Sequence, residues 1–313
     1  MYLEHFGLRE FPFTLTPDTS YFLASNHYQA ALNTLLVAIH TGEGFIKITG
    51  EVGTGKTLLC RQFLACVEQI NATQPLAQYV TAYIPNPYLT PQGLMLSLAD
   101  ELGIALAPNA EQHHVLKTIT QTLLTLAQQN QQVILCFDEA QAMPLETLEA
   151  LRLLTNMETE KRKLVQIILF GQPELDLKLQ QNQIRQLNQR ITFHYRLGAL
   201  KQGEVDDYVM HRLHIAGYHG RPIFTRSAIK ALYRASKGTP RLINILAHKA
   251  LMASFGKGEM IVRKQQIFKA ASDTESAHQR VPYRPYIAIL LTIAILLIVA
   301  VVVMAGTGWV MPK

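Results

Sequence analysis

Cysteine is scarce in this sequence. Only Cys60, Cys66 and Cys136 occur among its 313 residues, and none forms a Cys-x-x-Cys pair. That excludes a disulfide-stapled scaffold, and small core positions in a reducing compartment are expected instead. Charge is sparse too, at 17% of residues against 49% hydrophobic ones, which excludes a disordered chain. No internal repeat and no low-complexity tract is visible, so a repeat array is not expected. No apolar stretch follows the first five residues, and no secretory signal is expected there. The formal net charge of +6 leaves two candidate partners, an anionic membrane surface or nucleic acid.

What is present starts at residues 50–57, Gly50-Glu51-Val52-Gly53-Thr54-Gly55-Lys56-Thr57. This is the G-x-x-x-x-G-K-[ST] pattern of a phosphate-binding P-loop. Glycines let the backbone bend so that its N–H groups point at an anion. Lys56 is expected to reach the β- and γ-phosphates of a nucleotide, and the Thr57 hydroxyl to ligate Mg²⁺. At average residue usage roughly 1% of chains this long would match by chance. The context lowers that figure. Phe45-Ile46-Lys47-Ile48-Thr49 reads as a strand leading in, and residues 58–70 read as an amphipathic helix leading out. Strand, loop and helix in that order place phosphates on a helix N-terminus.

Along the chain, residues 1–24 read as a packed, aromatic lead-in and 26–40 as a helix. Strands are expected near 77–84, 133–137, 164–170 and 191–197, with helices at 90–102, 111–128 and 144–157. Val133 to Phe137 is an unbroken apolar run, as expected of a parallel strand buried on both faces. Alternation of strands and helices predicts an α/β doubly wound core, a parallel sheet flanked by helices. After Leu197 only helices are expected, near 203–216, 225–235, 240–255 and 264–271. The expected division is therefore a P-loop core with its lead-in at 1–198, a helical lid at 199–271 and a linker at 272–285.

Residues 286–305 carry no charge, and 13 of them are Ile, Leu or Val. Those residues contribute roughly −4 to −8 kcal/mol towards membrane insertion. Twenty residues of helix span about 30 Å, the thickness of the hydrocarbon core. One C-terminal transmembrane helix is expected, followed by a short tail at 306–313. Arg280 and Arg284 precede the run and only Lys313 follows it, so the positive-inside bias puts the N-terminal part in the cytoplasm.

Asp138 and Glu139 follow the apolar strand directly. An acid at the mouth of a strand beside a P-loop can hold Mg²⁺, and a second acid can polarise the attacking water. Gln172 follows the next strand and could orient that water. Charge in the transition state calls for arginine, and four candidates stand out: Arg185, Arg190, Arg196 and Arg241. A tempting metal set, Asp207, His211 and His214 on one helix face with His219 nearby, lacks an obvious further ligand. A solvated face is expected there instead.

The P-loop, the Asp138-Glu139 pair and Gly238-Thr239-Pro240-Arg241 in the helical part resemble AAA+ ATPases. More narrowly, Phe6-Gly7-Leu8-Arg9-Glu10-Phe11-Pro12-Phe13, Thr16-Pro17-Asp18 and Gly171-Gln172-Pro173-Glu174-Leu175 are similar to the general secretion pathway protein A family. The resemblance implies ATP and Mg²⁺ as cofactors, the nucleotide held by residues 50–58 (Gly50, Glu51, Val52, Gly53, Thr54, Gly55, Lys56, Thr57 and Leu58) together with Arg241, and the metal by Thr57 and Asp138. It implies Glu139, Lys56, Gln172 and Arg190 as the catalytic set. Gln172 matches the sensor-1 position and Arg241 the sensor-2 position. Arg190 best matches the arginine finger that acts on a neighbouring subunit's nucleotide, with Arg185 as the alternative. A finger in trans implies a homo-oligomer, by expectation a ring. Other implied partners are the membrane and inner-membrane proteins that assemble a type IV-like pilus or a type II secretion machine. The expected location is a bacterial inner membrane, crossed once, with the ATPase domain in the cytoplasm. Better-known members carry a long periplasmic region with a peptidoglycan-binding domain. Only 306–313 follow the apolar run here, so direct peptidoglycan binding is not expected.

Two rival readings remain at this stage. One is a DNA-associated P-loop ATPase of the transposition-regulator type, which the basic balance permits and the apolar run argues against, so nucleic acid is not the expected partner. The other is a nucleotide-gated scaffold that seldom hydrolyses.

Overall fold

The computed structural model describes residues 2–74, 78–107, 111–159 and 162–277. Among these described residues five strands form one sheet: β1 (Phe45–Gly50), β2 (Gln78–Ile84), β3 (Gln131–Phe137), β4 (Val165–Gly171) and β5 (Phe193–Leu197). Their order is β2-β3-β4-β1-β5, and every neighbouring pair is parallel. β1 and β4 are buried at every position, because helices cover both faces. β2 and β5 are the edges and are only partly buried, which accounts for their mixed polar and apolar side chains. β5 is two residues shorter than the sequence suggests.

The helices that lead up to and flank the sheet are α1 (Tyr2–Phe6), α2 (Asn26–His40), α3 (Lys56–Thr73), α4 (Pro91–Glu101), α5 (Gln112–Gln128), α6 (Leu145–Thr155), α7 (Glu174–Leu179) and α8 (Arg185–Asn188). Thr90 caps α4 by accepting from the Gly93 N–H at 3.1 Å, with Pro91 at the first helical position. Pro144 stands just outside α6 as its N-cap, so that helix starts one residue later than its apolar pattern implies. Four helices follow the sheet: α9 (Glu204–Ile215), α10 (Arg226–Ser236), α11 (Pro240–Phe255) and α12 (Lys264–Ser272).

Strand alternation divides the core. Phe45, Val133, Leu135, Phe137, Ile167 and Leu169 point to the face covered by α4, α5 and α6. Ile46, Ile48, Ile134, Cys136, Ile168 and Phe170 point to the other, against α2 and α3. That second core continues without a break into Val209, Leu232, Leu246 and Ile267 of α9–α12. The lid helices therefore share apolar packing with the sheet, and residues 1–277 pack as one unit.

At Gly238 the chain turns into α11 with φ 77°, and a Cβ there would collide with the Leu200 carbonyl oxygen. Only glycine allows that approach. In α9, His211 is half-buried, while the rings of His214 and His219 stack at 5.9 Å. Among the described residues no helix is long and apolar enough to cross a membrane. The expected span at 286–305 and the tail at 306–313 lie outside them.

Candidate nucleotide site

Because all five strands run the same way, their C-terminal ends share one edge of the sheet. The loop after β1, the acids after β3 and Gln172 after β4 therefore emerge side by side, where ligands of such sheets bind. β3, β4 and β1 are consecutive in the sheet, although far apart in the sequence.

Gly53 and Gly55 carry φ of 79° and 90°, so the loop 50–57 turns back on itself before α3 starts at Lys56. The Tyr28 hydroxyl of α2 donates to the Thr54 carbonyl from behind the loop. From the lid side, the Arg241 N–H donates to the Gly53 carbonyl at 3.2 Å. The start of α11 thus rests on the P-loop.

The Lys56 ammonium donates to the carbonyls of Gly50 at 2.8 Å and Glu51 at 3.1 Å. Burial depresses its pKa, against the pull of the carboxylates Glu139 and Asp138. The Thr57 hydroxyl donates to Asp138 Oδ2 at 2.6 Å, and the Glu139 N–H donates to Asp138 Oδ1 at 2.9 Å. Burial raises the Asp138 pKa in spite of both bonds. A desolvated carboxylate beside a hydroxyl oxygen is a donor set that suits a hard cation such as Mg²⁺. Gln172 Nε2 donates to Glu139 Oε2 at 3.1 Å, so the second acid and the residue after β4 are in direct contact.

Val52, Gly53, Gly55, Lys56, Thr57, Leu58, Glu139, Gln172 and Arg241 all line one cavity of about 350 Å³. Gly50, Glu51 and Thr54 form the body of the loop, with the first two supplying the oxygens that hold Lys56. Arg190 lies elsewhere. Its Nη1 donates to Thr155 Oγ1 at 2.6 Å, and it lines a separate cavity with Gly44 and Phe45 at the opposite end of β1. Arg185 is exposed. Arg196 stands 3.8 Å from Glu51, and both side chains are exposed.

The far end of the cavity is built from residues that the sequence did not single out as functional. Thr14, Leu15, Thr16, Pro17 and Asp18 of the lead-in close one wall, and Tyr208, Arg212 and Asn244 of the lid close the other. Asn244 Nδ2 donates to the Thr14 carbonyl at 3.2 Å, and the Tyr208 hydroxyl donates to Asn244 Oδ1 at 2.9 Å. The Arg212 guanidinium is buried, donates to the Pro12 carbonyl at 2.5 Å and lies over the Tyr21 ring at 4.4 Å. Asn244 was open to discovery, since it sits three positions after Arg241 on the same face of α11. The lead-in carries no local signal of its place.

Known proteins are similar to this chain in sequence and in fold. An AAA domain family model matches residues 39–179. General secretion pathway protein A of Aeromonas hydrophila is 37% identical over 309 residues, covering 99% of this chain. The chain is an AAA+ P-loop protein. It spans about half the length of that curated relative, 53% of it. Solved structures carry the same fold at low identity. The Aeropyrum pernix ORC2 protein in its ADPNP–ADP complexes aligns with TM-score 0.62 and 17% identity over 85% of this chain and 73% of that one. Drosophila ORC bound to DNA aligns with TM-score 0.64 and 16% identity over 84% of this chain and 63% of that one. At such identities the likeness establishes the architecture of the AAA+ protein and nothing about its ligands.

Proposed function

We propose that this AAA+ protein is a membrane-anchored ATPase that binds and hydrolyses ATP to support assembly of a type IV-like pilus, of the MSHA kind, or of a type II secretion machine. The observation that carries the enzymatic half is the convergence of Lys56, Glu139 and Gln172 on one cavity, with Thr57 in its wall and Asp138 directly behind. Lys56 exchanges the carbonyls of Gly50 and Glu51 for the nucleotide's phosphates. Thr57 and Asp138 would hold Mg²⁺, which when bound balances phosphate charge. Glu139 orients the attacking water, with Gln172 beside it. Arg241 completes the site from the lid of the same chain. Arg190, or Arg185 in its place, completes it from a neighbouring copy in a ring.

The similarity to general secretion pathway protein A supports the biological half, together with the apolar run at 286–305. In this reading the ATPase faces the cytoplasm of a bacterium and its partners are inner-membrane assembly proteins.

Glu139→Gln tests the enzymology. Turnover is expected to fall about 10²- to 10⁴-fold with nucleotide binding retained. Turnover at the parent rate overturns the assignment, and a parent that binds ATP without steady hydrolysis makes the protein a nucleotide-gated scaffold. Fractionation of the full chain, with and without 286–305, tests the anchoring. A full-length chain that stays in the soluble fraction, with turnover stimulated by DNA, would replace this reading by a DNA-associated one.

A further inference from the structure

We infer that Gln141 is a positioning residue for Glu139, and that it binds the glutamate and the Gln172 loop into one unit. The inference rests on the ATPase reading above. Gln141 lies two residues past Glu139, in the short 3-10 turn Ala140–Ala142. Both ends of its carboxamide are in use. Oε1 accepts from the backbone N–H of Gln172 at 2.9 Å, and Nε2 donates to Glu139 Oε2. The first bond sets the sense of the second: only the oxygen can face an N–H, so the NH₂ must face the carboxylate.

Glu139 Oε2 therefore accepts from two side-chain amides, Gln141 and Gln172, which arrive from the loops after β3 and β4. That occupies one carboxylate oxygen and leaves the other for water. Gln141 is itself held in place. Lys178 Nζ of α7 donates to the carbonyls of Gln141 at 2.6 Å and Met143 at 2.8 Å. The bracing has a local reason. Glu139 sits at φ 52° and ψ 37°, a left-handed conformation that a side chain with a Cβ keeps only where its surroundings over-determine it. The bonds of Asp138, Gln141 and Gln172 supply that determination.

The test uses the full chain and two variants, with ATP turnover, ATP binding and melting temperature measured for each. Gln141→Ala is expected to lower kcat roughly 10- to 100-fold, with KM and ATP binding within about threefold of the parent. Gln141→Glu keeps the shape and the oxygen that faces Gln172, so its contact with the Gln172 backbone is retained. It also sets a second carboxylate against Glu139. Its kcat should fall as far, again with KM and ATP binding within about threefold of the parent. A residue that only supports the fold would instead lower the melting temperature and ATP binding together with the rate. Parent-like kcat in either variant, or loss of ATP binding in step with the rate, overturns the inference. If the parent hydrolyses ATP and Gln141→Glu matches it, only this inference fails. If the parent hydrolyses none, the ATPase reading fails and takes this one with it.

Discussion

The Thr57 hydroxyl and the Asp138 carboxylate meet at 2.6 Å, although 81 positions separate them in the chain. One lies in the first turn of α3 and the other directly follows β3, and the parallel sheet delivers both to the same edge. The contact joins the P-loop to the acid pair, and it brings a buried carboxylate into the field of Lys56.

That buried charge sets a pH and stability expectation. Burial raises the Asp138 pKa, so in the metal-free protein its ionised form is disfavoured. A raised carboxyl contributes stability below its unfolded value near 3.9 and loses it as pH rises through the higher folded value. At neutral pH, Asp138→Asn should therefore raise the metal-free melting temperature by roughly 1–3 °C while abolishing Mg²⁺-dependent turnover. Thermal melts without metal, beside turnover titrated with Mg²⁺, check both halves. A lower melting temperature in the variant would contradict the electrostatic account.

Gly53 makes the contact between lid and loop possible. Its φ is 79°, and a Cβ would lie 2.6 Å from Arg241 Cβ. Gly53→Ala should cost about 1–2 kcal/mol from the left-handed backbone alone, and it should push α11 off the loop. The expected result is weaker ATP binding in isothermal titration together with a lower melting temperature.

Asn244 ties the lid to the lead-in through Thr14 and Tyr208. Asn244→Ala leaves the buried Tyr208 hydroxyl without its acceptor, at a cost of about 1–3 kcal/mol. Limited proteolysis should then cut residues 14–18 faster than in the parent. Bound ATP should slow that cleavage, because the same residues wall the cavity.

Acid should destabilise the protein through histidine. Burial lowers the pKa of His248, whose Nδ1 lies 2.8 Å from the Tyr2 hydroxyl, and it also lowers those of His194 and His211. A depressed folded value means stability present above the unfolded value near 6.5 and lost as pH falls through the folded one. Urea midpoints should drop between about pH 7.5 and 5.5, and His248→Gln should flatten that slope.

Much of the site was legible because its signals are local. The P-loop needs glycines at fixed offsets, and an unbroken apolar strand marks where Asp138 and Glu139 must emerge. Gln172 could be placed by the same rule, one strand later. The contact between Gln172 and Glu139 could not, since it depends on β3 and β4 being neighbours in the sheet. Gln141 was passed over because a glutamine in a turn is ordinary until its two partners are known. Thr14, Tyr208 and Arg212 were missed for a similar reason: about 200 residues of chain separate the two walls they build, and no periodicity reports such a meeting. Arg190 carries a motif resemblance, yet within its own chain it lies at the far end of β1 against Thr155, so the finger role proposed for it would need a second copy.

By itself the sequence determined which candidate groups the site would hold. A lysine and a threonine close a glycine loop, and two acids follow a buried strand, the groups that a site for phosphate and magnesium would need within a few residues of a strand end. The tertiary structure alone decided how these groups combine. Strand order put Glu139 beside Gln172, the apolar core shared with α9–α12 set Arg241 on Gly53, and the lead-in came to wall the cavity. Side-chain pattern specifies which face of an element is buried. Which other element buries it is settled only when the whole chain packs.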